Sequence, residues 1–170
     1  YSAPVNFGDK GTAHDYLPIY EREIRRENVS LMEIGVLHGH SIALWNEYLV
    51  DSTVVGIDID LSTVTFPVEN VYLCDGTKPE EVEAQFPGST FDYVIDDGSH
   101  RWWDQISAID TFVPRRNPGG VMFIEDVNGD DALKQIRSHL DSKRILHYVY
   151  DGRGPKRQPD EIMVVIKAVQ

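Results

Sequence analysis

Cysteine is nearly missing from this sequence: Cys74 is the single one among 170 residues. No disulfide can close within the chain, so the reducing cytoplasm is the expected compartment. Basic residues are scarce as well. Lys and Arg number 16 against 28 Asp and Glu, a formal net charge of −12. Nucleic-acid binding wants a basic face, so that class of partner is disfavoured. No apolar run approaches the length of a membrane span, and the first residues lack the charged-then-apolar pattern of a signal peptide. The chain opens on Tyr1 rather than methionine, as a trimmed chain would. Repeats, low-complexity stretches and linkers are absent too. What is left, 41% hydrophobic and 26% charged, is the make-up of an ordinary globular domain suited to a small molecule or a metal. One domain is expected over 1–170, with a helical segment over 1–28 and a core over 29–170.

The core reads as alternating strands and helices. "VSLMEIG", "STVVGIDID", "ENVYLCDG", "FDYVIDDG" and "GGVMFIED" are short apolar runs bounded by glycine or acids, as buried strands are. "HSIALWNEYL", "KPEEVEAQF", "RWWDQISAIDTFV" and "DDALKQIRSHL" read as helices. "AHDYLPIYEREIRREN", residues 13–28, reads as mostly helical ahead of the core. Alternation implies right-handed crossovers and a parallel sheet. "RILHYVYD" and "EIMVVIKAV" follow each other directly and predict an antiparallel hairpin at one edge. The fold class is therefore α/β, a Rossmann-like three-layer sandwich. Its sheet is expected to be seven-stranded and mostly parallel, with an antiparallel C-terminal hairpin. Ligands of such sheets bind at the carboxyl ends of the strands.

Those ends are where the chemistry gathers. In "MEIGVLHGHS" a strand turns into a helix through Gly35 and Gly39, which let the backbone approach a ligand closely, and Ser41 opens the helix. Asp58 ends the next strand, 19 residues after Gly39, where an acid can hold both hydroxyls of a ribose. Asp75 and Gly76 end the strand after that, with the acid placed for an adenine edge. The spacing is G-x-x-x-G, and the dinucleotide fingerprint G-x-G-x-x-G is absent. Without a clear pyrophosphate loop, a nucleoside cofactor with no phosphates fits better, which points to S-adenosylmethionine. Glu33 is then expected as a counter-charge near its ammonium group.

Two further strands, "VIDDGSH" and "VMFIEDV", stop on paired acids. As neighbours they would bring Asp97, Glu125 and Asp126 together. Clustered carboxylates repel unless protonated or neutralised. A hard cation resolves the repulsion. Mg²⁺ takes oxygen ligands in an octahedron and keeps positions for water or substrate, with Mn²⁺ or Ca²⁺ also open. Asp96, one residue earlier, points to the other side of its strand, toward the cofactor.

The pattern "EIGVLHGHS…GIDID…CDG…FDYVIDDGSH…PGGVMFIEDV" resembles class I S-adenosylmethionine-dependent methyltransferases. More narrowly it is similar to the metal-dependent macrolide sugar O-methyltransferases of the mycinamicin type and to the cephalosporin methoxylation proteins. "GDKGTAHDYLPIYERE" is similar to the segment ahead of the core in that group. The resemblance spans nearly the whole chain and is most specific at "IDDGSH" and "PGG…IED". Leu37 departs from it: many methyltransferases carry a further glycine there, so a slightly different turn is expected. The resemblance implies methyl transfer to a hydroxyl of a sugar or other small polar metabolite. It puts the metal on Asp97, Glu125 and Asp126, and it makes His100 the general base. Histidine titrates in the right range for that task. A homo-oligomer stays open, in which a second copy completes the pocket.

Two other functions compete. A dinucleotide-dependent oxidoreductase would share the fold but lacks the fingerprint. A non-catalytic S-adenosylmethionine-binding module would have no need of the paired acids and His100. Other residues read more simply. His38 and His40 flank the cofactor turn, Cys74 is a small buried hydrophobe, and His139 and His147 are structural or exposed. Of Trp102 and Trp103, one is expected to pack on the sheet and the other to wall the substrate pocket. The basic loop "GRGPKRQP" is either solvated or a clamp on an anionic substrate. Lys10, His14, Tyr16 and Tyr20 fall ahead of the core, in the region that closes over the ligands in the related group.

Overall fold

The apolar runs become strands because both of their faces are covered, and each strand divides its side chains between two cores. The computed structural model of the chain describes residues 16–154 and 160–168. Its strands are β1 (Ser30–Ile34), β2 (Thr53–Asp58), β3 (Val71–Leu73), β4 (Phe91–Asp96), β5 (Arg116–Ile124), β6 (His147–Asp151) and β7 (Ile162–Lys167). Its helices are α1 (Leu17–Glu23), α2 (His40–Tyr48), α3 (Pro79–Gln85), α4 (Trp102–Phe112) and α5 (Gly129–Ser142). The strands form one seven-stranded sheet in the order β3-β2-β1-β4-β5-β7-β6. β1 to β5 pair parallel, and β7 runs antiparallel to both β5 and β6. The mostly parallel sheet with an antiparallel C-terminal pair is as expected. The pair folds inward: β7, buried along all but its last residue, lies beside β5 and leaves β6 at the edge.

Met32, Ile34, Val94, Met122, Ile124 and Val164 face one side, against Val82 of α3, Ile109 of α4 and Ile136 of α5. Leu31, Tyr93, Ile95, Phe123 and Val165 face the other, against Ile19 and Tyr20 of α1 and Ile42 and Trp45 of α2. Three layers result. Burying one such side chain contributes roughly 1.5–3 kcal/mol relative to exposure, so the strands are fixed from both faces. Among the described residues, no helix is long and apolar enough to cross a membrane.

α1 ends at Glu23, five residues before the helical pattern predicts. Ile24 turns extended, the Arg25 N–H donates to the Tyr93 hydroxyl at 2.9 Å, and the Arg26 carbonyl accepts from Val50 at 2.7 Å. Tertiary partners override propensity there. The start of the predicted helix, with Lys10 and His14, lies outside the described residues. β5 starts at Arg116, ahead of the glycines expected to begin it. The Arg116 guanidinium ties that end down by donating to the carbonyls of Gly120 (3.2 Å) and Ile166 (2.9 Å).

The chain leaves β1 for β2 and β3, then returns to β4 on the other flank of β1. A crevice forms where the order reverses. Gly35 lets the loops after β1 and β4 touch there. Its φ is +87°, and a Cβ on it would stand 2.2 Å from the Asp97 carbonyl oxygen. Gly119 has a similar φ of +79° but open space around it. Gly35→Ala is expected to cost roughly 2–5 kcal/mol, of which about 1–2 is left-handed strain and about 1–3 is overlap with Asp97. Gly119→Ala should show the strain alone. Urea unfolding of both variants measures the difference, and equal losses would mean that the Asp97 contact contributes nothing.

Candidate active site

A cavity of about 590 Å³ opens at the reversal, walled by residues 34–38, 40–41, 57–59, 74–77, 96–101 and 104. That size suits a small-molecule site. Six of the residues expected to bind a cofactor line it: Gly35, Ser41, Asp58, Asp75, Gly76 and Asp96. Gly39 and Glu33 are not in its wall. Gly39 is the N-cap of α2 at φ +91°, and a Cβ on it would meet Val68 at 3.0 Å. Glu33 alternates with Ile34, so it enters the core on the α1 and α2 side and is completely buried. Nearness to Gly35 in sequence suggests the cavity for Glu33, but the period of the strand turns it away.

Asp58 holds the β1–α2 turn. Its Oδ2 accepts the N–H groups of Val36 (2.8 Å) and Leu37 (3.0 Å), and its Oδ1 accepts that of Asp60 (3.0 Å). An ionised carboxylate has about four acceptor positions, so capacity is left for a ligand. Leu37 is held at φ +47° with its side chain exposed. A side chain in that region is strained, which is the local difference expected where a glycine is replaced. Asp75 serves its own turn: Oδ1 accepts from the Thr77 N–H (3.0 Å) and hydroxyl (2.7 Å), and Lys78 Nζ lies 3.4 Å from Oδ2. Burial pushes its pKa up, but the Thr77 hydrogen bonds and Lys78 outweigh that and hold it below its ordinary value.

Asp96 differs from both. It is buried, its Oδ1 meets the Gly98 N–H at 3.3 Å, and its Oδ2 has no hydrogen-bond partner among the described residues. Burial raises its pKa from 3.8 to about 7. A buried carboxylate oxygen at a cavity wall without a donor can be satisfied by a ligand.

The other acids meet because β4 and β5 are neighbours, with Asp96 opposite Ile124. Asp97, His100 and Asp126 each offer one ligand atom, and these lie within 4.8 Å of one another. His100 Nε2 is 3.3 Å from Asp97 Oδ1 and 3.8 Å from Asp126 Oδ2. The hydrogen bond to Asp97, with the charge of Asp126, overcomes burial and raises the imidazole pKa from 6.5 to about 9. His100 and Asp126 both have left-handed backbones, at φ +57° and +52°. Strain of that kind concentrates at functional sites.

Glu125, the third carboxylate expected in this group, is outside the set of clustered ligand atoms. One of its oxygens accepts the Tyr20 hydroxyl, and its backbone carbonyl accepts from Gln105 Nε2 at 2.9 Å. Phe123 and Glu125 face α1, where Tyr20 packs edge-on to Phe123 with ring centroids 4.9 Å apart, and the left-handed backbone at Asp126 breaks the alternation that would otherwise turn it away from Asp97. One turn earlier, Tyr16 donates to Asp126 Oδ1 at 2.8 Å. Burial, then the Asp126 charge, push the Tyr16 phenol well above its ordinary pKa. Sequence reasoning assigns no atoms to these tyrosines. Their four-residue spacing on a helix is the signal that they share a face.

Trp102 and Trp103 correct the expectation that one of them packs on the sheet, since they are 36% and 49% exposed. Both open α4, whose buried side begins at Gln105. In the basic loop, Arg153 is held by Asp151 (2.6 Å) and Asp130 (2.8 Å), while residues 155–159 lie outside the described residues. His38 and His40 line the cavity as expected. Cys74 is free and buried, and burial raises its pKa.

Comparison with known proteins follows the same lines. The family described as "Methyltransferase domain" matches residues 32–127. The 8-demethyl-8-alpha-L-rhamnosyl tetracenomycin-C 2'-O-methyltransferase of Streptomyces olivaceus is 33% identical over 131 residues, covering 70% of this chain and 35% of that protein. The mycinamicin VI 2''-O-methyltransferase of Micromonospora griseorubida is 31% identical over 130 residues, covering 69% and 32%. The chain thus spans about a third of the length of the curated relatives it matches. Among solved structures, the MycE methyltransferase of the mycinamycin pathway, in complex with Mg, SAH and mycinamycin VI, shares the fold with a TM-score of 0.70 at 22% identity. That match covers 93% of this chain and 50% of MycE. An O-methyltransferase from Bacillus cereus in complex with SAH gives a TM-score of 0.67 at 13% identity, over 99% of this chain and 83% of that one. With more than half of its length matched, and with a relative one-third identical over most of it, the chain belongs to the methyltransferase-domain family.

Proposed function

We propose that this chain carries an S-adenosylmethionine-dependent O-methyltransferase, assisted by a divalent cation and acting on a hydroxyl of a sugar or other small polar metabolite. One observation carries the reading: Asp97 and His100 belong both to the acid–imidazole cluster and to the cavity wall. A cofactor pocket and an ion site therefore share a wall. The relatives named for rhamnosyl tetracenomycin and mycinamicin support a sugar hydroxyl as acceptor. A free, buried Cys74 suits the cytoplasm.

The residues fit both groups. S-adenosylmethionine, when bound, supplies an electrophilic methyl group on a positively charged sulfur. The turn held by Asp58 bounds the cavity, and the carboxylate keeps acceptor capacity for ribose hydroxyls. Asp96 Oδ2 is an acceptor for the ammonium group, the role first expected of Glu33. A divalent cation supplies positive charge that makes a nearby hydroxyl easier to deprotonate. Asp97 and Asp126 would hold it, with Glu125 as a third carboxylate whose other oxygen is taken by Tyr20. Mg²⁺ is the first choice for such donors, with Mn²⁺ and Ca²⁺ as alternatives. His100, with its Nε2–H donating to Asp97, would accept the proton of the acceptor hydroxyl at Nδ1, and a cation on Asp97 and Asp126 would offset the charges that raise its pKa.

Two outcomes are expected. Asp97→Ala, or EDTA, abolishes methyl transfer, and His100→Ala lowers kcat by about 10²–10⁴, while S-adenosylmethionine affinity survives in all three. Full-rate turnover in EDTA would remove the cation from the mechanism. Asp96→Asn weakens S-adenosylmethionine binding roughly 10- to 100-fold, as loss of a charge-assisted hydrogen bond does. Unchanged affinity in a calorimetric titration would send the ammonium group elsewhere.

A further inference from the structure

We infer that Tyr16, the N-cap of α1, and Tyr20 within α1 are positioning residues for the cation site, Tyr16 holding one oxygen of Asp126 so that the other faces the cluster, and Tyr20 fixing the neighbouring Glu125. The inference rests on the proposed cation-assisted reading and extends it to a segment ahead of the residues that match the family, 32–127.

Asp126 carries the argument. Its two oxygens are divided: Oδ1 accepts the Tyr16 hydroxyl at 2.8 Å, and Oδ2 points into the cluster, 3.8 Å from His100 Nε2. Terminal carboxylate torsions are broad and nearly two-fold. Nothing intrinsic to an aspartate keeps a chosen oxygen toward an ion. A fixed donor does. Tyr16 is fixed, since it is fully buried and its ring meets Tyr150 edge-on at 6.4 Å. Its hydroxyl has one proton to give. The alternative acceptor, the Asp160 carbonyl, is farther away at 3.4 Å.

Tyr20 repeats the arrangement on the preceding acid. Its hydroxyl donates to Glu125 Oε1, and its ring is wedged edge-on between Trp45 (5.0 Å) and Phe123 (4.9 Å). Two consecutive acids are thus held by two phenols four residues apart, one at the N-cap of α1 and one in its first turn. Outer partners of ligating groups orient them and tune their affinity, and their loss typically costs about 10- to 100-fold in metal binding.

The test uses Tyr16→Phe and Tyr20→Phe in the full chain, with Mn²⁺ as the ion and Tyr148→Phe as a control. Tyr148 donates its hydroxyl to Glu23, away from the cluster. Calorimetry should give a Mn²⁺ Kd about 10-fold weaker for Tyr16→Phe, weaker also for Tyr20→Phe, and unchanged for Tyr148→Phe. S-adenosylmethionine affinity should stay within about two-fold for Tyr16→Phe. In turnover assays excess Mn²⁺ should restore most of the lost rate, which a merely structural defect would not allow. Wild-type Mn²⁺ affinity in both phenol variants overturns the inference and leaves the proposed function standing. A wild-type chain that binds no Mn²⁺ overturns both. Should one variant fail to fold, the Mn²⁺ affinity of the other decides.

Discussion

Two like charges 4 Å apart repel by about 4 kcal/mol where the effective dielectric is near 20. Strands β4 and β5 are followed or ended by four carboxylates, and parallel pairing brings them to one rim. Much of what surrounds the rim answers that repulsion. The Gly98 N–H meets Asp96, the His100 imidazole lies on Asp97, the Tyr20 hydroxyl meets Glu125, and the Tyr16 hydroxyl meets Asp126. The donors come from the loop after β4 and from α1, two segments far apart in sequence. Docking α1 on the sheet is therefore both core packing, through Ile19 and Tyr20, and electrostatic compensation of the site.

The period of a strand then divides the work. Asp96 continues the side of β4 that holds Val94, and Asp97 follows on the side that holds Ile95. One strand end can thereby serve two ligands with consecutive residues, one acid at the cofactor and one at the ion. The closeness this requires depends on backbone rather than side chains. Asp97 N–H donates to the Ile34 carbonyl at 2.9 Å, and no residue with a Cβ fits at Gly35 beside it. Under the proposed function the same contact would bring the methyl donor and the acceptor hydroxyl together, which is how such a site lowers a bimolecular barrier.

Most of the architecture was legible in the sequence because it follows from short-range patterns. Buried parallel strands are continuous apolar runs, and "FDYVIDD" and "VMFIED" read as such. The positions of Asp58, Asp96 and Asp97 followed from being at strand ends. What stayed hidden depends on partners brought from elsewhere. α1 stops early because Arg25 and Arg26 find Tyr93 and Val50. Glu33 was placed by its neighbours in sequence, whereas it points by the parity of its strand, and Glu125 is drawn to Tyr20 from α1. Asp75 was placed for a base edge, and the sequence reading missed that Thr77 and Lys78, close in sequence, also hold it. The roles of Tyr16 and Tyr20 required knowing that α1 crosses the sheet above the ends of β5, a contact separated by over a hundred residues. The exposed Trp102 and Trp103 show the limit of hydrophobicity as a guide, since an aromatic at a helix start can stay outside.

The central claim is that a preformed cofactor pocket lies beside a separate ion site. Calorimetric titration of S-adenosylmethionine into the full chain, once with Mg²⁺ and once with EDTA, tests it most directly. Micromolar binding in both conditions, with a distinct heat for Mg²⁺ added alone, is the predicted result. Absence of S-adenosylmethionine binding in both would contradict the account, and the acids at the ends of β4 and β5 would then need another explanation.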